Sequence, residues 1–338
     1  MTKLKLGLVG CGAIGEIRAR AALQSASVRL AAVTDADRER GRRFADRFNV
    51  AFEAEWSALL ARKDIDAVVV STPPNSHREI ATAALESGKH VLCEKPLGRT
   101  PDECLAMIDA ARRAGRALAT GFNYRFYPSV EKAREIFDSG AIGELCYARG
   151  VSGYSAATHH QAWLHDFEVM GGGTMRDNGI HLIDTVCYFF GDPVEVRGAA
   201  LFEAWKFPGC EDNGFVLMRN AKGNLASLHS SWTEWSGYKF QVELGGTRGI
   251  IRLQCFPMVL EISTGGVGNA KGSRKTSYFP WVHVMEHVKS YRWVVEQSFL
   301  REYDEFFAMI EGKPSRVASG HDGWRAVHIA ECARSNRL

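Results

Sequence analysis

Little in this sequence is extreme, and each modest quantity closes off a class of protein. None of its eight cysteines, at 11, 93, 104, 146, 187, 210, 255 and 332, belongs to a Cys-x-x-Cys pair. In a chain of 338 residues that scatter argues against a secreted disulfide framework and for reduced thiols in a cytoplasmic setting. No apolar stretch approaches the roughly 18 residues needed to span a bilayer, so no membrane partner is expected. Met1–Gly12 places Lys3 and Lys5 before an apolar run, but Glu16 and Arg18 end the run and no small-residue cleavage site follows. It therefore reads as a first strand and not as a signal peptide. A net charge of +3 is too small to call for nucleic acid. The basic runs Arg38–Arg43 and Arg112–Arg116 read as solvated helix faces. There is no internal repeat and no low-complexity tract.

What is present is an ordinary globular composition, 46% hydrophobic and 24% charged, in a length that suggests two domains. The first third alternates between strand and helix periods. Strands are predicted at Leu4–Val9, Val28–Thr34, Ala67–Ser71, His90–Cys93 and Ala117–Thr120, with helices at Ala13–Ser25, Arg38–Phe48, Ser76–Glu86 and Pro101–Ala114. Strict alternation implies right-handed βαβ units and a doubly wound parallel sheet of the Rossmann type. After Gly121 the pattern changes. A helix over Val130–Asp138, a strand over Leu145–Val151 and a long helix over Gly171–Phe190 precede six strand-like runs between Glu195 and Ile262. Joined by Gly- and Asn-rich turns, these imply a large, mostly antiparallel open sheet in an α+β domain. The boundary is placed at 121/122, giving a dinucleotide-binding domain over 1–121 and a substrate-binding and oligomerisation domain over 122–338. Helices at Phe299–Glu311 and Trp324–Arg334 close the chain, and the last can pack back on the first domain.

The chemistry begins at Gly10-Cys11-Gly12-Ala13-Ile14-Gly15, a G-x-G-x-x-G between a strand and a helix. Gly10 allows a tight turn, Gly12 lets backbone approach a pyrophosphate, and Gly15 lets helix and strand pack closely. The helix N-terminus then offers free N–H groups to phosphate. Asp35, 20 residues beyond Gly15 at the end of the second strand, suits a ribose diol and repels a 2′-phosphate, which favours NAD. Arg38 and Arg40 stand close enough to leave NADP open. A cap on the following helix is the plainer role for Asp35. Ser71-Thr72-Pro73-Pro74-Asn75-Ser76-His77 and Glu94-Lys95-Pro96 each follow a parallel strand and so border the cofactor crevice. Ser71, Thr72, Pro73, Asn75, His77 and Glu94 are cofactor-contact candidates. His77 fits a loop contact better than a base. Lys95 is placed to hydrogen-bond a substrate oxygen and favour negative charge there.

These motifs, followed by Gly171-Gly172-Gly173-Thr174-x-x-Asp177-x-x-x-His181, resemble the glucose–fructose oxidoreductase, inositol dehydrogenase and rhizopine-catabolism (Gfo/Idh/MocA) family. The resemblance spans most of the chain and is dense through residue 191. It implies a Rossmann domain followed by an α/β domain with a large open sheet, NAD(P) dependence, and action on sugars, inositols or sugar nucleotides. It also implies pairing through the second-domain sheet, as a homodimer or homotetramer. Carried over by position, Lys95, Asp177 and His181 match the catalytic set. Asn178 stands where the family often has a small or apolar residue.

The spacing is sensible by itself. Asp177 and His181, at i and i+4, would share a helix face, with Asp184 continuing it. An imidazole titrates near neutrality and can take a hydroxyl proton, and a carboxylate one turn away can orient it. Tyr124, Arg125, Trp163 and His165 join Lys95, Asp177, Asn178 and His181 as substrate-contact candidates. His159, His160, His165 and Asp166 fit no compact ligand spacing, so no metal is expected. Trp232 and Trp235 read as core or interface residues before sugar-stacking ones. The leading reading is a dehydrogenase or ketoreductase acting on a polyol. An NAD-retaining glycosidase working by transient oxidation and elimination is the second enzyme class, and a dinucleotide-sensing regulator is the non-catalytic one. Lys95, Asp177 and His181 together weigh against the last.

Overall fold

A computed structural model describes residues 3–158, 161–265, 272–289 and 292–335. His159, His160 and most of the Gly-rich loop expected at Gly265–Ser273 lie outside them. In chain order the elements are β1 (Leu4–Val9), α1 (Ala13–Gln24), β2 (Val28–Thr34), α2 (Arg38–Phe48), β3 (Ala51–Phe52), α3 (Trp56–Ala61), β4 (Ala67–Val70), α4 (His77–Glu86), β5 (His90–Glu94), α5 (Pro101–Ala114) and β6 (Leu118–Gly121). There follow α6 (Pro128–Asp138), β7 (Leu145–Gly153), α7 (Phe167–Met170), α8 (Thr174–Asp177), α9 (Gly179–Phe190), β8 (Pro193–Leu201), β9 (Asn213–Asn220), β10 (Leu225–Ser231), β11 (Lys239–Gly246), β12 (Gly249–Cys255), β13 (Met258–Thr264) and β14 (Ser273–Tyr278). The chain closes with α10 (Pro280–Lys289), α11 (Arg292–Ile310), β15 (Ala318–Ser319) and α12 (Gly320–Ser335).

The chain forms two compact units, 1–123 with 289–324, and 124–288 with 325–338. In the first, a seven-stranded sheet runs β15-β6-β5-β4-β1-β2-β3. All its pairs are parallel except the short antiparallel β15–β6 contact. β4 is buried along its whole length, as a strand covered on both faces by helices must be. The order reverses at β1, where β1 lies between β2 and β4, and the glycine turn follows directly from it. Residues 289–324, assigned from sequence to the second domain, belong here. α11 packs on α1, and Tyr303 donates its hydroxyl to the Arg18 carbonyl at 3.2 Å. No local pattern could announce that return, because it is made by contacts across most of the chain.

In the second unit an eight-stranded sheet runs β14-β13-β12-β11-β7-β10-β9-β8. It is antiparallel throughout except for β7 beside β10. α6 and α9 cover one face. Side chains alternate, so β9 buries Val216 and Met218 while Phe215 and Leu217 stay exposed. The single long helix expected over Gly171–Phe190 is not formed. Gly171 has φ +74°, and a Cβ on Gly173 would lie 2.2 Å from the Glu211 carbonyl oxygen, so the glycine run is a crossing of main chains. α8 then stops at Asp177. The His181 amide bonds to the Asn178 carbonyl, a tighter three-residue step, and α9 begins at Gly179.

Candidate active site

Each unit carries its own set of candidate residues. In the first, the glycine loop has the geometry of a phosphate cradle. Gly10 has φ +101°, and a side chain there would strike the Ser71 carbonyl oxygen at 2.6 Å. A Cβ on Gly15 would sit 2.1 Å from the Gly10 oxygen, whereas one on Gly12 would meet nothing within 4 Å. No side chain caps α1. Its first amides, beside exposed Gly12, Ala13 and Ile14, thus remain available for an anion. Ser71 Oγ is buried with no hydrogen-bond partner among the described residues. An open glycine face, uncapped amides and an orphaned hydroxyl fit a dinucleotide.

Asp35 is buried where β2 ends. It does not cap α2, since Asp37 does, accepting from the Arg40 amide. The Asp35 carboxylate accepts instead from the Cys11 amide at 2.7 Å and the Asp37 amide at 2.8 Å, and is gripped by Arg40. Arg38 pairs with Glu55 on the surface. Thr72 is half-buried, and Pro73 and Asn75 are exposed. His77 takes the loop-contact role expected of it, at the first residue of α4. It is fully buried, with Nδ1 2.9 Å from the Pro96 carbonyl oxygen and Nε2 2.8 Å from that of Thr72. It fastens the two strand-end loops to each other and leaves no ring atom for a cofactor. Burial pulls its imidazole below the ordinary range against the pull of those two carbonyls.

Glu94 is likewise spent internally. Arg18 donates to its Oε1 from Nε (2.8 Å) and Nη2 (2.6 Å), and to Glu302 Oε2 from Nη1 at 2.5 Å. The guanidinium lies 3.9 Å over the Phe299 ring. This buried triad stands immediately before Lys95, which is half-buried. Sequence reasoning missed it, because Glu302 lies 284 residues from Arg18.

The second unit assembles Asp177, Asn178 and His181 around the step between α8 and α9. The step can sit close to the sheet because its neighbours are small. A Cβ on Gly179 would meet the Ser230 side chain at 2.9 Å. Thr174 Oγ1 and Ser152 Oγ also bond to Ser230 Oγ, at 2.8 and 3.1 Å. Glu211 receives the Gly173 and Met175 amides at 2.8 and 2.9 Å, satisfying the head of α8. Burial raises the Glu211 carboxyl, and those amides oppose the rise.

Asp177 Oδ2 accepts from the Tyr154 hydroxyl and from Trp232 Nε1 at 3.2 Å. Burial, then the Asp177 charge, push the Tyr154 phenol well above the ordinary tyrosine range, so it stays a donor. The His181 ring stacks on Tyr124, with centroids 4.1 Å apart and planes 11° from parallel. Tyr124 and Tyr238 share a hydroxyl bond of 2.6 Å, and Tyr238 donates to Asn178 Oδ1 at 2.6 Å. That bond fixes the amide, and Asn178 Nδ2, buried, has no partner among the described residues. Tyr154 and Tyr238 went unrecognised in sequence, and Trp232 is the core residue it was expected to be. They come from the ends of β7, β10 and β11, brought together only by sheet pairing. Trp232 is wholly buried and serves the Asp177 carboxylate, not a sugar face.

Of the other substrate candidates, Arg125 is corrected. Its guanidinium binds Asp184 in two contacts, Nε to Oδ2 at 2.8 Å and Nη2 to Oδ1 at 2.5 Å, with both side chains buried. Asp184 therefore serves Arg125 and does not extend the Asp177–His181 face. His165 stacks on Phe207 at 3.8 Å, and burial holds its imidazole low despite the Asp177 charge. Trp163 is half-buried in the turn Ala162–His165. Asp166 caps α7. Among the described residues no group of three or more His, Cys, Asp or Glu is arranged to hold a metal, and no helix is long and apolar enough to cross a membrane.

The fold agrees with comparison to known proteins. Residues 4–122 match an oxidoreductase family with an NAD-binding Rossmann fold, and residues 130–252 match the GFO/IDH/MocA C-terminal domain. Inositol 2-dehydrogenase of Rhizobium meliloti (strain 1021) is 28% identical, over 98% of this chain and 96% of that protein. A dTDP-3,4-didehydro-2,6-dideoxy-alpha-D-glucose 3-reductase of Saccharopolyspora spinosa is 32% identical, over 73% of this chain and 74% of its own. Among solved structures, a levoglucosan dehydrogenase in complex with NADH and L-sorbose is similar with a TM-score of 0.86 at 25% identity. The match covers 99% of this chain and 98% of that one.

Proposed function

Since the chain belongs to the Gfo/Idh/MocA family and is an NAD-dependent oxidoreductase, we propose that its substrate is a polyol. The class is a sugar, inositol, aminosugar or sugar nucleotide, altered at a secondary hydroxyl or ketone carbon. The observation that carries this reading is the grouping of Asp177, Asn178 and His181 at one buried step, with the Asn178 amide nitrogen unmatched by any described protein acceptor. A buried donor left alone costs about 1–3 kcal/mol, and a ligand dense in hydroxyl oxygens removes that cost.

NAD, when bound, supplies the acceptor for the hydride that leaves the carbinol carbon. The glycine loop, Asp35 and Ser71 would hold it. In the oxidative direction His181 takes the hydroxyl proton, its ring plane set by Tyr124. Lys95 donates to the substrate oxygen as negative charge develops there. Asp177, its orientation fixed by Tyr154 and Trp232, aligns His181 and a neighbouring hydroxyl, and Asn178 donates to a further substrate oxygen. The test is NAD reduction across inositols, free sugars, aminosugars and sugar nucleotides. Net NADH from one class is expected. Tight NAD binding with no turnover on any class would overturn the reading in favour of a sensor.

The uncovered sheet face, with Leu201, Phe215, Leu217 and Leu225 exposed, supports pairing with a second copy as a homodimer or homotetramer. A monomer by light scattering at micromolar concentration would refute that. The eight scattered cysteines, none in a Cys-x-x-Cys pair, support a reducing, cytoplasmic setting.

A further inference from the structure

Asp35 has its acceptor capacity filled. Oδ1 receives the Asp37 amide at 2.8 Å and Arg40 Nη2 at 2.6 Å, and Oδ2 receives the Cys11 amide at 2.7 Å and Arg40 Nε at 3.1 Å. A carboxylate offers about four lone-pair positions, so a ribose diol enters only where a present donor leaves. The two amides are main chain and cannot leave without unmaking the glycine loop and the approach to α2. Arg40 can, because its side chain is 49% exposed while that of Asp35 is 3% exposed. We infer that Arg40 occupies the position of the ribose diol on Asp35 and sets the balance between NAD and NADP in this chain.

Docked, the guanidinium neutralises the very charge that would repel a 2′-phosphate. Displaced, it remains a cation five residues from Asp35 in the first turn of α2, with a fork suited to phosphate oxygens. Arg38 bonds to Glu55 and not to Asp35, so competition at that carboxylate falls to Arg40. Arg40 therefore opposes NAD and assists NADP, and both effects reduce the selectivity that Asp35 alone would impose.

The experiment is calorimetric titration of the full chain with NAD and with NADP, without substrate, for the natural sequence, Arg40→Ala and Arg40→Gln. A hydrogen bond to a charged group is worth about 1.5–3 kcal/mol, or roughly ten-fold or more in Kd. In Arg40→Ala, NAD should bind several-fold more tightly and NADP about ten-fold more weakly, with Arg40→Gln between. A weaker NAD complex in Arg40→Ala would overturn the inference, since Arg40 would then be ordering Asp35 for the cofactor. Equal shifts for both dinucleotides, leaving their ratio unchanged, would also overturn it. The natural sequence is the control, and if it bound neither dinucleotide the cofactor assignment itself would fall.

Discussion

Replacing Arg125 with alanine should unfold the second unit more readily, and this follows from where its charge is kept. Arg125 and Asp184 are buried together, joined by two hydrogen bonds, and the guanidinium lies 4.8 Å over the Tyr188 ring. Removing one member of such a pair strands the other charge in a medium that cannot solvate it, at a cost of about 3–5 kcal/mol. For a unit of this size each kcal/mol lowers Tm by roughly 2–4 °C, so Arg125→Ala should melt roughly 6–20 °C lower. Asp184→Ala should do the same. Removing both charges with shape-matched apolar residues, Arg125→Met with Asp184→Leu, should recover most of the loss, because neither ion is then left behind. Differential scanning fluorimetry compares the four proteins. If Arg125→Ala melted within about 2 °C of the natural chain and only raised KM for the substrate, Arg125 would be a ligand contact and the internal-pair argument would be wrong.

Three further outcomes are expected. His181→Ala should lower kcat by about 10²–10⁴, the usual worth of a general base, and leave the NAD Kd unchanged; near-normal turnover would sink the proposed proton transfer. Asp177→Asn should be milder if Asp177 only orients, and pre-steady-state NADH formation measures the difference. Tyr154→Phe should lower kcat about ten-fold or more through loss of a charge-assisted bond, while keeping the natural shape of the pH–rate profile. Its phenol is raised by burial and by Asp177, so the bond persists at neutral pH and is lost only above the ordinary phenol value of about 10. An alkaline limb near pH 8 that vanished in Tyr154→Phe would contradict that.

The parts of this protein that sequence reveals are those encoded over short distances. Val28–Thr34 and Arg38–Phe48 are predicted with the bounds the structure has, because hydrophobic period and capping residues act within a turn or two. The glycine loop's tight turn is legible for the same reason. Asn178 shows the limit. Helical periodicity runs through Gly171–Phe190, yet Gly173 and Gly179 each lie against distant chain, Glu211 and Ser230, and those contacts break the helix in two. Arg125 was misread because a buried partner 59 residues on leaves no local trace. Tyr154, Trp232 and Tyr238 meet only once β7, β10 and β11 have paired.

The return of residues 289–324 to the first unit has a consequence for synthesis. The second unit's 124–288 emerges between the two segments that build the first. At 5–20 residues per second this takes roughly 8–33 s. Throughout that interval the nascent first unit lacks α11 and β15. The surface of α1 that α11 will cover is bare, the β6 edge is unpaired, and the Arg18 cation has Glu94 but not Glu302. The earliest-made unit is thus among the last to be finished on the ribosome. A fragment ending at 123 corresponds to that unfinished species and should be expected to aggregate instead of serving as a minimal cofactor-binding domain.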